Sequence, residues 1–176
     1  MIHIIGATAN NLKKDDFLKK IQQWGQHHTV SVQAMNAKLI FGRLHLQSAA
    51  EHAIRAFQQG TNTAHSLSTE TLLYAAGERQ ITLAIDKMGV QPTSKEIALV
   101  IIDNLKGTKE ASGSIQEEDI MFLLKQLNLE RDDNVLISDE NMLPTFGITQ
   151  EERKTVSKAK YEQLILEKVA LVDFIK

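Results

Sequence analysis

S-L-S-T-E-T-L-L-Y-A-A-G-E-R-Q-I-T-L-A-I-D-K-M-G, residues 66–89, reads as two short apolar helices joined at Gly77. A polar, singly basic corner, Gly77-Glu78-Arg79-Gln80, precedes Ile81. Before it, Leu46, Ala49, Ala50, Ala53, Ile54 and Phe57 line one face of a helix over Leu44 to Phe57, and Gly60 stops it. The alanines on that face allow another element to approach closely. Three helices therefore lie between a strand near Val32 and a strand at Ile97. A doubly wound sheet places one helix in each crossover. The spacing predicts an α+β fold instead: a small mixed β-sheet packed against a cluster of helices.

The remaining elements fit this plan. Ile2 to Gly6 reads as a short strand ended by Gly6, and Asp15 to Trp24 as an amphipathic helix ended by Gly25, with Phe17, Leu18, Ile21 and Trp24 on one side. Val30, Val32 and Ala34 alternate with Ser31 and Gln33, as in a half-buried strand, and Leu39 to Phe41 extends it or pairs beside it. The unbroken apolar run Ile97 to Ile102 predicts a strand covered on both faces. Lys106 to Gly113 reads as a flexible loop. Ser114 and Glu117 form a capping-box pattern before a helix carrying Ile120, Leu123, Leu124 and Leu127. Thr149 and Glu152 repeat the pattern after Gly147. A last helix, Ser157 to Phe174, carries Tyr161, Leu164, Ile165, Val169 and Val172 on one side. No internal repeat or boundary divides the chain, so residues 1–176 are expected to form one domain.

Composition narrows the function. With 43% apolar and 24% charged residues the chain is an ordinary globular one. A net charge of -2 and a pI near 6.3 argue against a dedicated nucleic-acid binder, which is usually strongly basic. With no cysteine there are no disulfides, thiolate metal sites or Cys nucleophiles, which is compatible with a cytoplasmic protein. The N-terminal stretch lacks a basic region and a long apolar run, so no signal peptide or membrane span is expected.

Catalytic motifs are missing. There is no phosphate loop, no dinucleotide fingerprint beyond the single Gly6, and no G-x-S-x-G elbow. His45 and His52 are seven residues apart and lack the i, i+4 metal-binding pairing, so the histidines are expected at the surface or rim. Carboxylates Glu117, Glu118 and Asp119 crowd a helix start, where the dipole favours them. No catalytic residue, metal ligand or cofactor is assigned.

The segment carries a resemblance as well. Leu46-Gln47-Ser48-Ala49-Ala50-Glu51-His52-Ala53 gives a helix of short residues. L-S-T-E-x-L follows from Leu67, then Gly77 and three polar residues before Ile81, then A-I-x-x-x-G ending at Gly89, then the apolar strand. In this order the chain resembles the small accessory subunit of the KEOPS complex, the TPRKB-like family. The resemblance implies a helical cluster against a small sheet and a non-catalytic role. It also implies direct binding to the atypical protein kinase subunit and, through that kinase, an indirect link to the threonylcarbamoyl transferase subunit. The family engages the unpaired 3′ end of tRNA in threonylcarbamoyladenosine modification.

Candidate residues follow. Arg79 is either a solvated side chain at a helix start or a contact to phosphate or to a stacked base. Gln80 either caps the next helix or reads a base edge. Lys38 is a candidate for the same RNA surface. Leu72, Leu73 and Tyr74 are consecutive, so one helix face cannot cover all of them, and Leu72 becomes a partner-binding candidate. Phe174 and Ile175 are apolar where a chain end would fray, so the tail docks on a partner or packs on its own domain. The rival function is a small-ligand enzyme at the Gly77–Ile81 corner, where Glu78 alone offers an acid or base.

Overall fold

A computed structural model describes residues 1–137 and 139–175. Its strands are β1 (Ile2–Ala9), β2 (Ser31–Asn36), β3 (Glu96–Ile102) and β4 (Leu129–Arg131). Its α-helices are α1 (Lys14–His28), α2 (Arg43–Gln59), α3 (Leu67–Ala76), α4 (Ile81–Met88), α5 (Glu117–Gln126), α6 (Gln150–Lys154) and α7 (Tyr161–Ile175). The expected α+β architecture is present. The sheet has the order β2-β3-β1-β4 and every pairing is antiparallel, not mixed. Strands β1 and β2 are joined across helix α1, and both run against β3, which inserts between them. Local sequence marks the helical crossover, but the inserted strand arrives about sixty residues later (Asn36 to Glu96).

Strand β3 organises the two faces through its period of two. Ile97, Leu99 and Ile101 pack with Phe17, Ile21 and Trp24 of α1 and Ile120, Leu123 and Leu124 of α5. Ala98, Val100 and Ile102 face the other way, into a larger core built on α2, α3 and α7. The predicted burial of this strand on both faces is borne out.

Two glycines expected to end elements sit inside them. Strand β1 continues through Gly6, and a Cβ there would lie 2.5 Å from the Asp132 carbonyl oxygen. Gly6 also donates its N–H to the Asp133 carboxylate at 2.8 Å and accepts from the Asp132 N–H at 2.9 Å. Helix α1 likewise runs through Gly25, where a Cβ would meet the Val30 carbonyl at 2.9 Å, and continues to His28. Both positions demand a small residue because another backbone crosses them.

Other expectations shift. Residues 37–39 form a 3₁₀ turn, so Leu39 to Phe41 neither extends β2 nor pairs beside it. The Lys106–Gly113 stretch is tied down: Leu105 donates to the Ala111 carbonyl and Gly113 to the Thr29 carbonyl. Helix α5 starts later than the Ser114 signal, with Asp119 accepting from the Gln116 N–H at 2.8 Å. The Thr149–Glu152 capping box forms as read, although it opens only the short α6.

Gly6 yields a direct prediction. Gly6→Ala should lower stability by about 1–3 kcal/mol, because the methyl group must displace backbone instead of a flexible side chain. Urea denaturation measures it, and an unchanged midpoint would contradict the close approach.

Candidate functional site

The polar residues of the L-S-T-E stretch serve the fold. Ser66 caps α3 by accepting the Thr69 N–H at 3.2 Å. Buried Glu70 accepts the N–H groups of Thr63 at 3.0 Å and Ala64 at 2.7 Å, fixing the chain that leads from α2. Glu110 reaches across to accept the Leu67 N–H at 2.8 Å. Residues 70–76 are then all buried. A helix apolar all round is an interior helix, and α3 packs against α2, α4, α7 and β2. Leu72, Leu73 and Tyr74 are therefore all covered, at 3%, 0% and 0% exposure. Leu72 belongs to the core, where a partner cannot reach it.

The C-terminal end of α3 is held as firmly. Gly77 adopts φ +66, and the N–H groups of Gly77 and Glu78 return to the carbonyls of Tyr74 and Leu73. Lys87 donates to the Ala76 carbonyl at 2.6 Å, pairs with Glu78 at 3.2 Å and lies 4.8 Å from the centre of the Phe146 ring. His45 completes the arrangement from α2. It accepts the Phe41 N–H on Nδ1 at 3.1 Å, so Nε2 carries the proton and donates to the Ala75 carbonyl at 2.8 Å. This histidine is wholly buried rather than at the rim, and burial holds its pKa down at about 4.

The expected RNA residues do not converge. Arg79 is exposed and donates to the Ile175 carbonyl at 3.1 Å, placing a cation at the C-terminal end of α7, where the helix dipole favours it. Gln80 occupies the N-cap position of α4, is exposed and makes no side-chain cap. Lys38 lines a different groove, with Glu96, Asp132 and Asp139. Those carboxylates oppose a phosphate there. Arg43 is committed to the Ile4 carbonyl at 2.7 Å and to Asp133 at 3.4 Å.

Arg79, just before α4, reaches the C-terminal end of α7, and each of these two helices exposes apolar side chains. Helix α4 turns Ala84 and Met88 inward and leaves Ile81, Leu83 and Ile85 exposed. Helix α7 buries Ile165, Val169 and Val172, as its spacing predicts, and exposes Leu171, Phe174 and Ile175. Phe174 is 83% exposed, so it does not pack on its own domain. Lys176, the last residue of the tail, lies outside the described residues. The α4 residues were missed by sequence reasoning, yet a signal existed: I-T-L-A-I-D-K-M is apolar on more faces than one neighbour can cover.

Glu78, the carboxylate of the corner, is neutralised by Lys87. His45 and His52 have other partners, and no group of three or more His, Asp or Glu side chains among the described residues is arranged to hold a metal. None of the described helices is long and apolar enough to cross a membrane.

Residues 9–173 match the family model described as kinase binding protein CGI-121. The chain belongs to this family of kinase-binding proteins, the one that the resemblance indicated. No curated protein sequence gives a match.

His45 makes stability depend on pH. Below the ordinary value of 6.5 the unfolded chain takes up a proton that the folded chain refuses until about pH 4. Stability from this group is thus full above 6.5 and falls as pH drops toward 4. The wild type should lose about 2 kcal/mol from it between roughly pH 7 and pH 5. His45→Gln should be weaker near neutrality but have a flatter profile. Equal slopes in denaturant titrations would contradict the assignment.

Proposed function

We propose that this protein is the non-catalytic accessory subunit of a KEOPS complex, and that it docks on the atypical kinase subunit through the exposed ends of α4 and α7. The observation carrying this reading is the set of exposed apolar side chains Ile81, Ile85, Leu171, Phe174 and Ile175 beside the Arg79–Ile175 bond. Large apolar side chains left exposed at neighbouring positions of one helix, as Leu171, Phe174 and Ile175 are, suit an interaction site, and the family is one of kinase-binding proteins. Through the kinase it meets the threonylcarbamoyl transferase subunit indirectly. The enzyme alternative at Gly77–Ile81 is disfavoured by the Glu78–Lys87 pair, which occupies the corner's carboxylate.

On this reading the protein also helps to hold the unpaired 3′ end of tRNA, working in the cytoplasm in threonylcarbamoyladenosine modification. Support comes from the resemblance and from exposed Arg79 and Gln80 at the corner. A guanidinium has five N–H donors, and the bond to Ile175 uses one of them. Single-stranded RNA needs stacking and a modest charge, which suits a chain of net charge -2. Lys38, among carboxylates, has no part in it.

Two measurements test the reading. Calorimetry with the purified kinase subunit should show Phe174→Ala and Ile81→Glu each weakening binding by about 2 kcal/mol or more, as at an interface hot spot. Wild-type affinity for both folded variants would remove the surface. Removing the unpaired 3′ nucleotides from tRNA should weaken its binding by about 1–3 kcal/mol per stacked base. A trimmed tRNA that binds as tightly as the intact one would leave a purely protein-docking role.

A further inference from the structure

Phe174 is the most exposed of the large apolar side chains, yet the residues on either side of it are fastened. Asp173 presents one carboxylate oxygen to the Tyr74 hydroxyl and the other to His52 Nδ1, the latter at 2.8 Å. Ile175 offers its backbone carbonyl to Arg79 at 3.1 Å. The anchor points come from different elements: His52 from α2, Tyr74 from α3 and Arg79 from the corner before α4.

We propose that Asp173 and Arg79 are positioning residues that lock the last turn of α7, so that Phe174 is presented to the kinase subunit in one fixed orientation. The proposal rests on the docking surface described above and adds a device that prepares it. The last carbonyls of a helix lack intrahelical partners, so a terminal turn loosens unless something else holds it. Arg79 supplies a donor to one of those carbonyls. The Tyr74 ring is fully buried in the core, so the hydroxyl that holds Asp173 is set by the interior of the domain. The rings of His52 and Tyr74 lie 5.3 Å apart, so the two side chains that hold the carboxylate also pack against each other. Arg55 borders the same cleft as Asp173, and buried Glu70 lies one helical turn before Tyr74. An aromatic side chain held in its bound geometry before encounter loses less freedom on binding, which raises affinity without any added contact.

The test compares wild type with Asp173→Ala, Asp173→Asn, Tyr74→Phe, Arg79→Ala and Phe174→Ala. Amide hydrogen exchange over residues 170–175 is followed in the free protein, and affinity for the purified kinase subunit is measured by calorimetry. Asp173→Ala should speed exchange and weaken binding, each about tenfold. Tyr74→Phe and Arg79→Ala should do the same to a smaller degree. Tyr74→Phe should add nothing to Asp173→Ala. Asp173→Asn can still accept from the phenol through its carbonyl oxygen and donate through its amide to His52 Nδ1 when the ring carries its proton on Nε2, so it should restore most of the affinity. Faster exchange with wild-type affinity would overturn the positioning role, as would unchanged exchange in Asp173→Ala. If Asp173→Ala does not fold, Tyr74→Phe and Arg79→Ala decide by the same two readouts. Loss of affinity in Phe174→Ala alone would leave the docking surface standing without the lock. Wild-type binding by Phe174→Ala would overturn this proposal, and would remove the docking surface as well if Ile81→Glu also binds like wild type.

Discussion

Helix α3 is held out of water along residues 70–76, and the larger half of the molecule is built around that burial. Leu67, Leu72, Leu73 and Tyr74 each contribute about 1.5–3 kcal/mol by leaving water. The cost of placing helix ends indoors is met locally. Ser66 and Glu110 satisfy the first amides, and Lys87 and His45 satisfy the Ala76 and Ala75 carbonyls. Take away these polar partners and the same apolar helix would leave unpaired backbone groups in the core, each costing on the order of 1–3 kcal/mol.

This arrangement ties fold to surface. Because α3 fills the centre, α4 and α7 are layered outside it and meet water with their outer sides. Tyr74 carries the connection through: its ring belongs to the core, and its hydroxyl reaches Asp173 near the exposed end of α7. Burial, and then the Asp173 carboxylate, push the phenol's pKa above its usual range. The hydroxyl therefore stays protonated and donating at any ordinary pH. Arg79 joins the other edge of the same end to the corner. A residue type that suggests phosphate binding in sequence thus has a structural partner in the folded chain.

Much of this was legible in the sequence. Periodicity placed α2, α3, α4 and α7, the run Ile97 to Ile102 announced a doubly covered strand, and Thr149 with Glu152 marked a helix start. Long-range placement was not legible. Gly6 and Gly25 carry the local signature of a stop, and only the tertiary approach of residues 132 and 30 shows why they lie inside their elements. The antiparallel insertion of β3 between β1 and β2 has no local code. Consecutive apolar residues at 72–74 imply an exposed face when a helix has one neighbour, and α3 has several. His45 looked like a rim residue because its two backbone partners lie at Phe41 and, far along the chain, at Ala75.

On the proposed function, the interior helix α3 sets up a docking face on its outer neighbours α4 and α7. Methyl chemical-shift mapping of the isotope-labelled protein, on addition of the unlabelled kinase subunit, tests it most directly. Ile81, Ile85, Leu171 and Ile175 are expected to shift or broaden together, while Leu18 and Met121, exposed on helices α1 and α5, stay unchanged. Perturbation centred on Leu18 and Met121, with the α4 and α7 methyls silent, would contradict it.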